Sequence, residues 1–154
     1  MLIYPQNQSF MKDQFTIFYT DDDLEDQEFF SEAIVAMKDK IELVTQKNGN
    51  QLLDDLENPP PNPHVVFLDL NMPGLSGLQV LEKIRSIGKF KKLPVVIFST
   101  SGDEETINQS RKMGASFYVK KPNDFNLLTK TIQFALNINW ETYIPTKDNF
   151  VYLA

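Results

Sequence analysis

The chain has 154 residues, of which 42% are hydrophobic, 12% aromatic and 23% charged, a composition typical of one globular domain that excludes disorder as its main state. A formal net charge of -6 argues against direct binding to nucleic acid or to an anionic membrane surface, because both would repel the protein on average. The chain contains no cysteine, no secretion signal and no apolar run approaching about 18 residues, which is consistent with a cytoplasmic protein that has neither a disulfide framework nor a membrane span.

From Phe15 onward, short apolar runs alternate with longer amphipathic segments, which is the pattern of repeated β-α units around a parallel sheet. The nearly continuous apolar runs suit strands that are covered on both faces, whereas the alternating second run suits an edge strand. The five predicted strands are FTIFYT (15–20), IELVTQ (41–46), VVFLDL (65–70), PVVIFS (94–99) and SFYV (116–119).

The apolar residues between these strands recur at helical spacing and predict helices that pack against the sheet. The prolines of NPPPNP (58–63) end the second helix, because proline cannot continue a helix or join a strand ladder. Five strands with right-handed crossover helices predict an α/β fold with a doubly wound, five-stranded parallel sheet of the flavodoxin-like order 2-1-3-4-5.

Acidic residues follow two strands that this order makes neighbours. Asp21, Asp22 and Asp23 follow the first predicted strand, and Asp69 lies at the end of the third, inside an apolar run where an unpaired charge is costly. A solvated turn would equally explain the first cluster taken alone. Carboxylates that converge on one crevice repel one another unless a cation lies between them, and oxygen ligands favour Mg²⁺ over zinc or copper. The sequence therefore predicts a Mg²⁺ site.

Hydroxyl and ammonium groups are expected at the same edge of the sheet. Ser99 and Thr100 end the fourth predicted strand, and Lys120, Lys121 and Pro122 follow the fifth. A carboxylate nucleophile, a cation and donors that hold phosphoryl oxygens are what phosphoryl transfer requires. The combination favours a site of phosphoryl chemistry.

Taken together, four motifs resemble the receiver domain of two-component response regulators, the CheY-like superfamily. The motifs are the acidic pair after the first strand, LDLNMPGLSG (68–77), PVVIFST (94–100) and GASFYVKKP (114–122), and the similarity covers Phe15 to about Leu136. The motif LDLNMPG and the C-terminal extension resemble those of single-domain regulators of the cyanobacterial-phytochrome-associated type. The resemblance implies a regulator that accepts a phosphoryl group from a sensor histidine kinase or a histidine phosphotransfer protein and signals to a downstream protein target.

The resemblance also implies how the phosphoryl group is accepted and sensed. Asp69 would be the phosphoacceptor, Lys121 would pair with the phosphoryl oxygens and Ser99 would donate its hydroxyl to them. Tyr118 would be the aromatic switch that turns inward when Ser99 moves, and Pro122 would help to direct Lys121 into the crevice. Such a protein would be no enzyme beyond self-phosphorylation and autodephosphorylation.

For the metal, the resemblance implies that Asp22 binds Mg²⁺ directly, as Asp69 does, and that Asp21 acts mainly through water. Asn71 would supply its backbone carbonyl as a further ligand. Gly77 would have a structural role at the end of the LDLNMPGLSG motif.

Two other functions fit these residues poorly. The acidic TDDDLED (20–26) would repel the phosphate of a flavin, and a phosphatase of the haloacid-dehalogenase type needs an acid where Asn71 stands. One alternative stays open, namely a receiver-fold docking or dimerisation module in which phosphorylation is vestigial.

The chain divides into three predicted parts. Residues 1–14 are expected to be a flexible N-terminal segment, and Met11 is an alternative start to Met1. Residues 15–136 form the predicted receiver domain, and the aromatic extension 137–154 is too short for a DNA-binding domain, so that any output acts through protein contacts. Two alternatives stay open for the extension, which packs either on its own domain or as a homodimer seam or partner-binding arm.

Overall fold

The computed structural model describes residues 15–59 and 61–152, so the predicted flexible segment 1–14 lies outside the described residues. Among the described residues, six strands and five α-helices follow one another along the chain. The strands are β1 (Phe15–Thr20), β2 (Ile41–Gln46), β3 (Val65–Leu68), β4 (Val95–Ser99), β5 (Phe117–Lys120) and β6 (Val151–Tyr152). The helices are α1 (Leu24–Met37), α2 (Gly49–Glu57), α3 (Gly77–Ser86), α4 (Glu104–Lys112) and α5 (Phe125–Leu136), with a 3₁₀ turn at Gly88–Phe90.

The six strands form one sheet in the order β2-β1-β3-β4-β5-β6, and all neighbouring pairs are parallel. The predicted order of the first five strands is confirmed, with β2 at one edge. The predicted number of five strands is wrong, because Val151–Tyr152 pairs with β5 as a sixth strand. A two-residue strand carries no period-two signal, and its pairing depends on contacts with a strand more than thirty residues earlier in the chain.

The core lies in two layers, one on each face of the sheet, because successive strand residues point to opposite faces. Tyr19 and Phe67 belong to the layer that packs against α1 and α5. Phe18 and Leu68 belong to the layer that packs against α2, α3 and α4. Helices on both faces explain why β1, β3 and β4 are buried along their whole length.

The segment after α5 packs against its own domain in this chain. Trp140 and Tyr143 contact the ring of Phe117 edge-on, and Tyr152 stacks on Phe134 with ring centroids 4.8 Å apart. Phe150 is only 1% exposed. The C-terminal segment therefore extends the sheet and contributes to both of its core layers.

Helix caps position the loops that follow β1 and β3. Asp23 begins α1, since its side chain accepts hydrogen bonds from the backbone nitrogens of Glu25 and Asp26. Ser76 begins α3 in a capping box with Gln79.

None of the helices in the described part of the chain has the length and apolar content needed to cross a bilayer.

Candidate functional site

Three carboxylates meet where β1 and β3 end. Candidate ligand oxygens of Asp21, Asp22 and Asp69 all lie within 4.8 Å of one another. The two strands are adjacent and parallel, and the backbone nitrogen of Asp69 donates a 3.0 Å hydrogen bond to the carbonyl oxygen of Thr20, which fixes their ends together. Asp21 and Asp69 are buried, whereas Asp22 is exposed. The cluster is thus a small acidic pocket that opens to solvent beside Asp22.

Lys121 brings its ammonium group into this pocket. Its Nζ lies 2.7 Å from Oδ2 of Asp21, 2.9 Å from Oδ2 of Asp26 and 3.3 Å from Oδ1 of Asp69. Its backbone nitrogen donates a 2.7 Å hydrogen bond to the carbonyl oxygen of Ser99, so the end of β4 holds the residue in place. Lys120, by contrast, is exposed.

The surrounding carboxylates keep Lys121 charged. Burial alone would lower the pKa of Lys121, but the hydrogen bonds to Asp21 and Asp26 and the charges of Asp69 and Asp21 raise its pKa above the ordinary value of lysine. The ammonium is therefore a positive charge held within the pocket by its carboxylate partners.

Asp21 has protein partners for both of its oxygens. Oδ2 accepts a 2.5 Å hydrogen bond from the hydroxyl of Tyr19 as well as the bond from Lys121, and Oδ1 accepts a 2.9 Å bond from the backbone nitrogen of Asp23. Burial raises the pKa of Tyr19, and the charge of Asp21 raises it further. The hydroxyl therefore stays protonated and remains a hydrogen-bond donor. These bonds fix the orientation of the Asp21 carboxylate.

The environment of Asp69 opposes its negative charge. The pKa of the Asp69 carboxyl is raised to about 6, because burial and the charges of Asp21 and Asp22, which raise it, outweigh the nearby ammonium of Lys121, which lowers it. A divalent cation between the carboxylates would relieve this repulsion. Three carboxylates in a pocket that opens to water are hard oxygen donors of the kind that Mg²⁺ binds, so the residues present fit such an ion.

Ser99 and Tyr118 are connected through the loop after β4. The Oγ of Ser99 accepts a 3.2 Å hydrogen bond from the backbone nitrogen of Ser101, and the carbonyl oxygen of Ser101 accepts a 2.8 Å bond from the hydroxyl of Tyr118. The side chain of Tyr118 is fully buried and so already points inward. A shift of Ser99 would disturb a loop to which Tyr118 is directly bonded.

Gly77 lies where α3 approaches the backbone of the acidic pocket. A Cβ atom at Gly77 would collide with the carbonyl oxygen of Asp69 and would lie 2.7 Å from the Cα of Leu70. The Gly77 nitrogen also donates a 2.8 Å hydrogen bond to the carbonyl oxygen of Leu70. Asn71 is exposed on the loop between β3 and α3, and Pro122 is half-buried directly after Lys121.

Two residues that contact the site were not singled out from the sequence. Asp26 pairs with Lys121, and Tyr19 donates to Asp21. Asp26 belongs to the acidic run TDDDLED, which indicates only that this loop repels anions. Tyr19 lies in the apolar run FTIFYT, where it fits the pattern of a buried strand and its hydroxyl does not stand out. A polar atom at the carboxyl end of that strand was the available signal.

Known proteins share parts of this sequence and this fold. The chemotaxis protein CheY1 of Helicobacter pylori is 31% identical over 75 residues, which cover 49% of this chain and 60% of CheY1. The chain therefore spans less than two thirds of the length of the curated relatives it matches. The response regulator Rcp1, solved in an Mn²⁺-bound form, is 25% identical with a TM-score of 0.71, over 86% of this chain and 99% of Rcp1.

The phosphorylated form of the cyanobacterial phytochrome response regulator RcpA is 26% identical with a TM-score of 0.74, over 88% of this chain and 100% of RcpA. The family model of the response regulator receiver domain matches residues 17–133, from the first strand into α5. The acidic pocket, Lys121 and Ser99 all lie within the matched residues. The chain belongs to the response regulator receiver domain family.

Proposed function

We propose that this protein is a two-component response regulator that accepts a phosphoryl group on Asp69 and signals through contacts with a downstream protein. The observation that carries the proposal is the position of the Asp69 carboxylate, which lies 3.3 Å from Nζ of Lys121 and within 4.8 Å of the other two carboxylates. The phosphorylated state of RcpA, a structural neighbour, supports it. The proposed donor is a sensor histidine kinase or a histidine phosphotransfer protein.

The residues of the pocket can supply each part of the transfer. A carboxylate oxygen of Asp69 would attack the phosphorus of a phosphohistidine, so that a P–O bond forms while the P–N bond breaks and its electron pair leaves with the imidazole nitrogen. The charged ammonium of Lys121 would pair with the phosphoryl oxygens, and the hydroxyl of Ser99 would donate a hydrogen bond to one of them.

Mg²⁺ is the proposed cofactor of the same pocket. Asp22, Asp69 and the backbone carbonyl of Asn71 would bind it directly, and Asp21 would act through water because both of its oxygens already have protein partners. When bound, Mg²⁺ would screen the charges of the carboxylates and of the incoming phosphoryl oxygens. Rcp1 was solved with Mn²⁺, an ion of similar ligand preference, which supports a divalent cation here.

Signalling would follow from a shift between two populations of the same fold. A phosphoryl group on Asp69 would draw the Ser99 hydroxyl away from the backbone nitrogen of Ser101. The loop would then move relative to the hydroxyl of Tyr118, which is bonded to the carbonyl of Ser101. The outward surface next to β5 would change as a result.

We propose that the protein carries a phosphoryl mark and does not turn over a substrate. Asn71 stands two residues after Asp69, in a place where a carboxyl acid would be needed to assist hydrolysis by the phosphatase route. Self-phosphorylation and slow autodephosphorylation are the only chemistry proposed. A cytoplasmic location stays a prediction.

The test is phosphorylation with acetyl phosphate and Mg²⁺, followed by intact-mass spectrometry. The wild type should gain one phosphoryl group that hydroxylamine removes, because an acyl phosphate is cleaved by this nucleophile. Asp69→Asn should gain none, and the surface variant Asp39→Asn should behave as wild type. A wild-type protein that is folded but stays unmodified would favour the docking-module alternative instead.

A further inference from the structure

Lys121 pairs with a carboxylate that has no role in the proposed phosphoryl transfer. Besides Asp21 and Asp69, its ammonium donates a 2.9 Å hydrogen bond to Oδ2 of Asp26. Asp26 lies on the first turn of α1, outside the group of three carboxylates that could hold a cation among the described residues. It is therefore placed to act on Lys121 and not on the metal.

Asp26 is held in its position by the start of the helix. Its backbone nitrogen donates a 3.1 Å hydrogen bond to Oδ1 of the capping residue Asp23. The positive end of the α1 dipole lies at this turn and stabilises a negative charge there. The carboxylate is thus a fixed anion beside the pocket.

The contacts of the ammonium are unequal. A lysine has three N–H donors, and Lys121 directs hydrogen bonds to Asp21 at 2.7 Å and to Asp26 at 2.9 Å. Asp69, the proposed phosphoacceptor, is farther away at 3.3 Å. The side chains of Lys121 and Asp21 are only 10% and 1% exposed, whereas that of Asp26 is 37% exposed, so water screens the contact with Asp26 more than the contact with Asp21. The ammonium is consequently held on the α1 side of the pocket.

We propose that Asp26 is a positioning residue that holds Lys121 on the α1 side and so competes with a phosphoryl group on Asp69 for the same ammonium. This inference rests on the proposed function. A phosphoryl oxygen that pairs with Lys121 must draw the ammonium away from Asp26. The free-energy cost of breaking that ion pair lowers the affinity of the pocket for a phosphoryl-like anion on Asp69.

The probe is beryllofluoride with Mg²⁺, which stands in for the phosphoryl group, and the readout is its dissociation constant from isothermal titration calorimetry. Asp26→Asn keeps the shape of the side chain but removes its charge, and it should bind beryllofluoride about fivefold more tightly than the wild type. Asp26→Glu restores a carboxylate and should return the constant to within about twofold of the wild-type value.

Removal of any nearby negative charge favours an anion to some extent, so the matched control is Glu25→Gln. Glu25 lies on the same first turn of α1, and its carboxylate is not one of the three that pair with Lys121. This variant should leave the constant within about twofold of wild type, since exposed charges are screened by salt.

The outcomes separate the two proposals. A folded wild-type protein that binds no beryllofluoride would overturn both of them. If the wild type binds it, then equal or weaker binding by Asp26→Asn, or an equal gain in Glu25→Gln, overturns the role of Asp26 and leaves the proposed function standing. A gain confined to Asp26→Asn and reversed in Asp26→Glu supports it.

Discussion

The backbone nitrogen of Tyr118 donates a 2.9 Å hydrogen bond to the carbonyl oxygen of Phe150. The two rings also lie against each other, with centroids 6.3 Å apart. Because the hydroxyl of Tyr118 bonds to the carbonyl of Ser101, a single residue connects the loop after β4 with the C-terminal strand. The position of β6 is therefore linked to the part of the site that is proposed to sense phosphorylation.

We expect Phe150→Ala to destabilise the fold and to loosen β6. Phe150 is 1% exposed, and loss of a buried phenylalanine ring costs about 3 kcal/mol or more of unfolding free energy. Urea denaturation measures the loss, and hydrogen exchange should accelerate at the amide of Tyr118. Ile144→Ala is the control, because Ile144 is 74% exposed and its loss should cost less than about 0.5 kcal/mol. Unchanged exchange at Tyr118 would show that its amide does not depend on Phe150.

Asp69→Asn should stabilise the protein at neutral and higher pH when no divalent cation is present. Burial raises the pKa of the Asp69 carboxyl from 3.8 to about 6, so the folded state holds this proton more tightly than the unfolded state. Ionised Asp69 therefore costs stability above pH 6, about 3 kcal/mol at most, and the cost disappears as the pH falls through 6 toward 3.8.

The measurement is the free energy of unfolding of both proteins from pH 4 to pH 8 in the presence of a chelator. The advantage of Asp69→Asn should be largest near pH 8 and should vanish near pH 4. An advantage that is the same at every pH would contradict the assignment of a raised pKa to Asp69. Added Mg²⁺ should reduce the advantage at pH 8, because it stabilises only the protein that keeps the carboxylate.

Gly77→Ala should destabilise the fold and weaken beryllofluoride binding. The new Cβ would meet the carbonyl oxygen of Asp69, and neither the backbone of β3 nor α3, whose Val80 and Leu81 are buried, can move freely. Overpacking of this kind costs about 1–3 kcal/mol. Gly88→Ala is the matched control, because a Cβ there has nothing within 4 Å, and it should be close to neutral. A neutral Gly77→Ala would show that α3 can shift away from the site.

The order of the strands and most of the pocket could be predicted, because the side chains of the pocket lie mostly at the carboxyl ends of strands. Asp21, Asp69, Ser99 and Lys121 each lie at or just after the carboxyl end of a strand, and parallel strands bring such positions to one edge whatever the details of packing. Alternation of apolar runs and helices predicted that these positions share one edge, whereas the choice of Lys121 over Lys120 came from the family resemblance.

Contacts that depend on folded geometry could not be predicted in the same way. Asp26 and Lys121 are separated by 95 positions, and no periodic pattern indicates that a side chain on the first turn of a helix reaches a lysine after the fifth strand. The sixth strand has only two residues, and the residue before it, Phe150, is buried against Tyr118. Both features depend on contacts between segments that are distant in the sequence.

Ser99→Ala should lower the affinity for beryllofluoride, whereas Ser99→Thr should keep it. The hydroxyl of Ser99 is the proposed donor to the phosphoryl group, and a hydrogen bond to a charged group contributes about 1.5–3 kcal/mol, or roughly tenfold or more in the dissociation constant. Calorimetric titration with Mg²⁺ present measures the change. Equal affinity in Ser99→Ala would mean that this hydroxyl does not contact the anion, and its contact with the nitrogen of Ser101 would then be purely structural.

Tyr19→Phe isolates the hydroxyl that fixes Asp21. The ring should keep its place, since it stacks on Phe30 at 4.4 Å and contacts Phe98 edge-on at 5.7 Å. Loss of the 2.5 Å bond to Oδ2 removes one partner of a fully buried carboxylate, which should cost about 1–3 kcal/mol of unfolding free energy. Urea denaturation of Tyr19→Phe, of Asp21→Asn and of the double variant measures how much of that cost depends on the charge of Asp21. If Tyr19→Phe is as stable as the wild type, Lys121 and the backbone nitrogen of Asp23 are sufficient to hold Asp21, and the hydroxyl has no part in shaping the pocket.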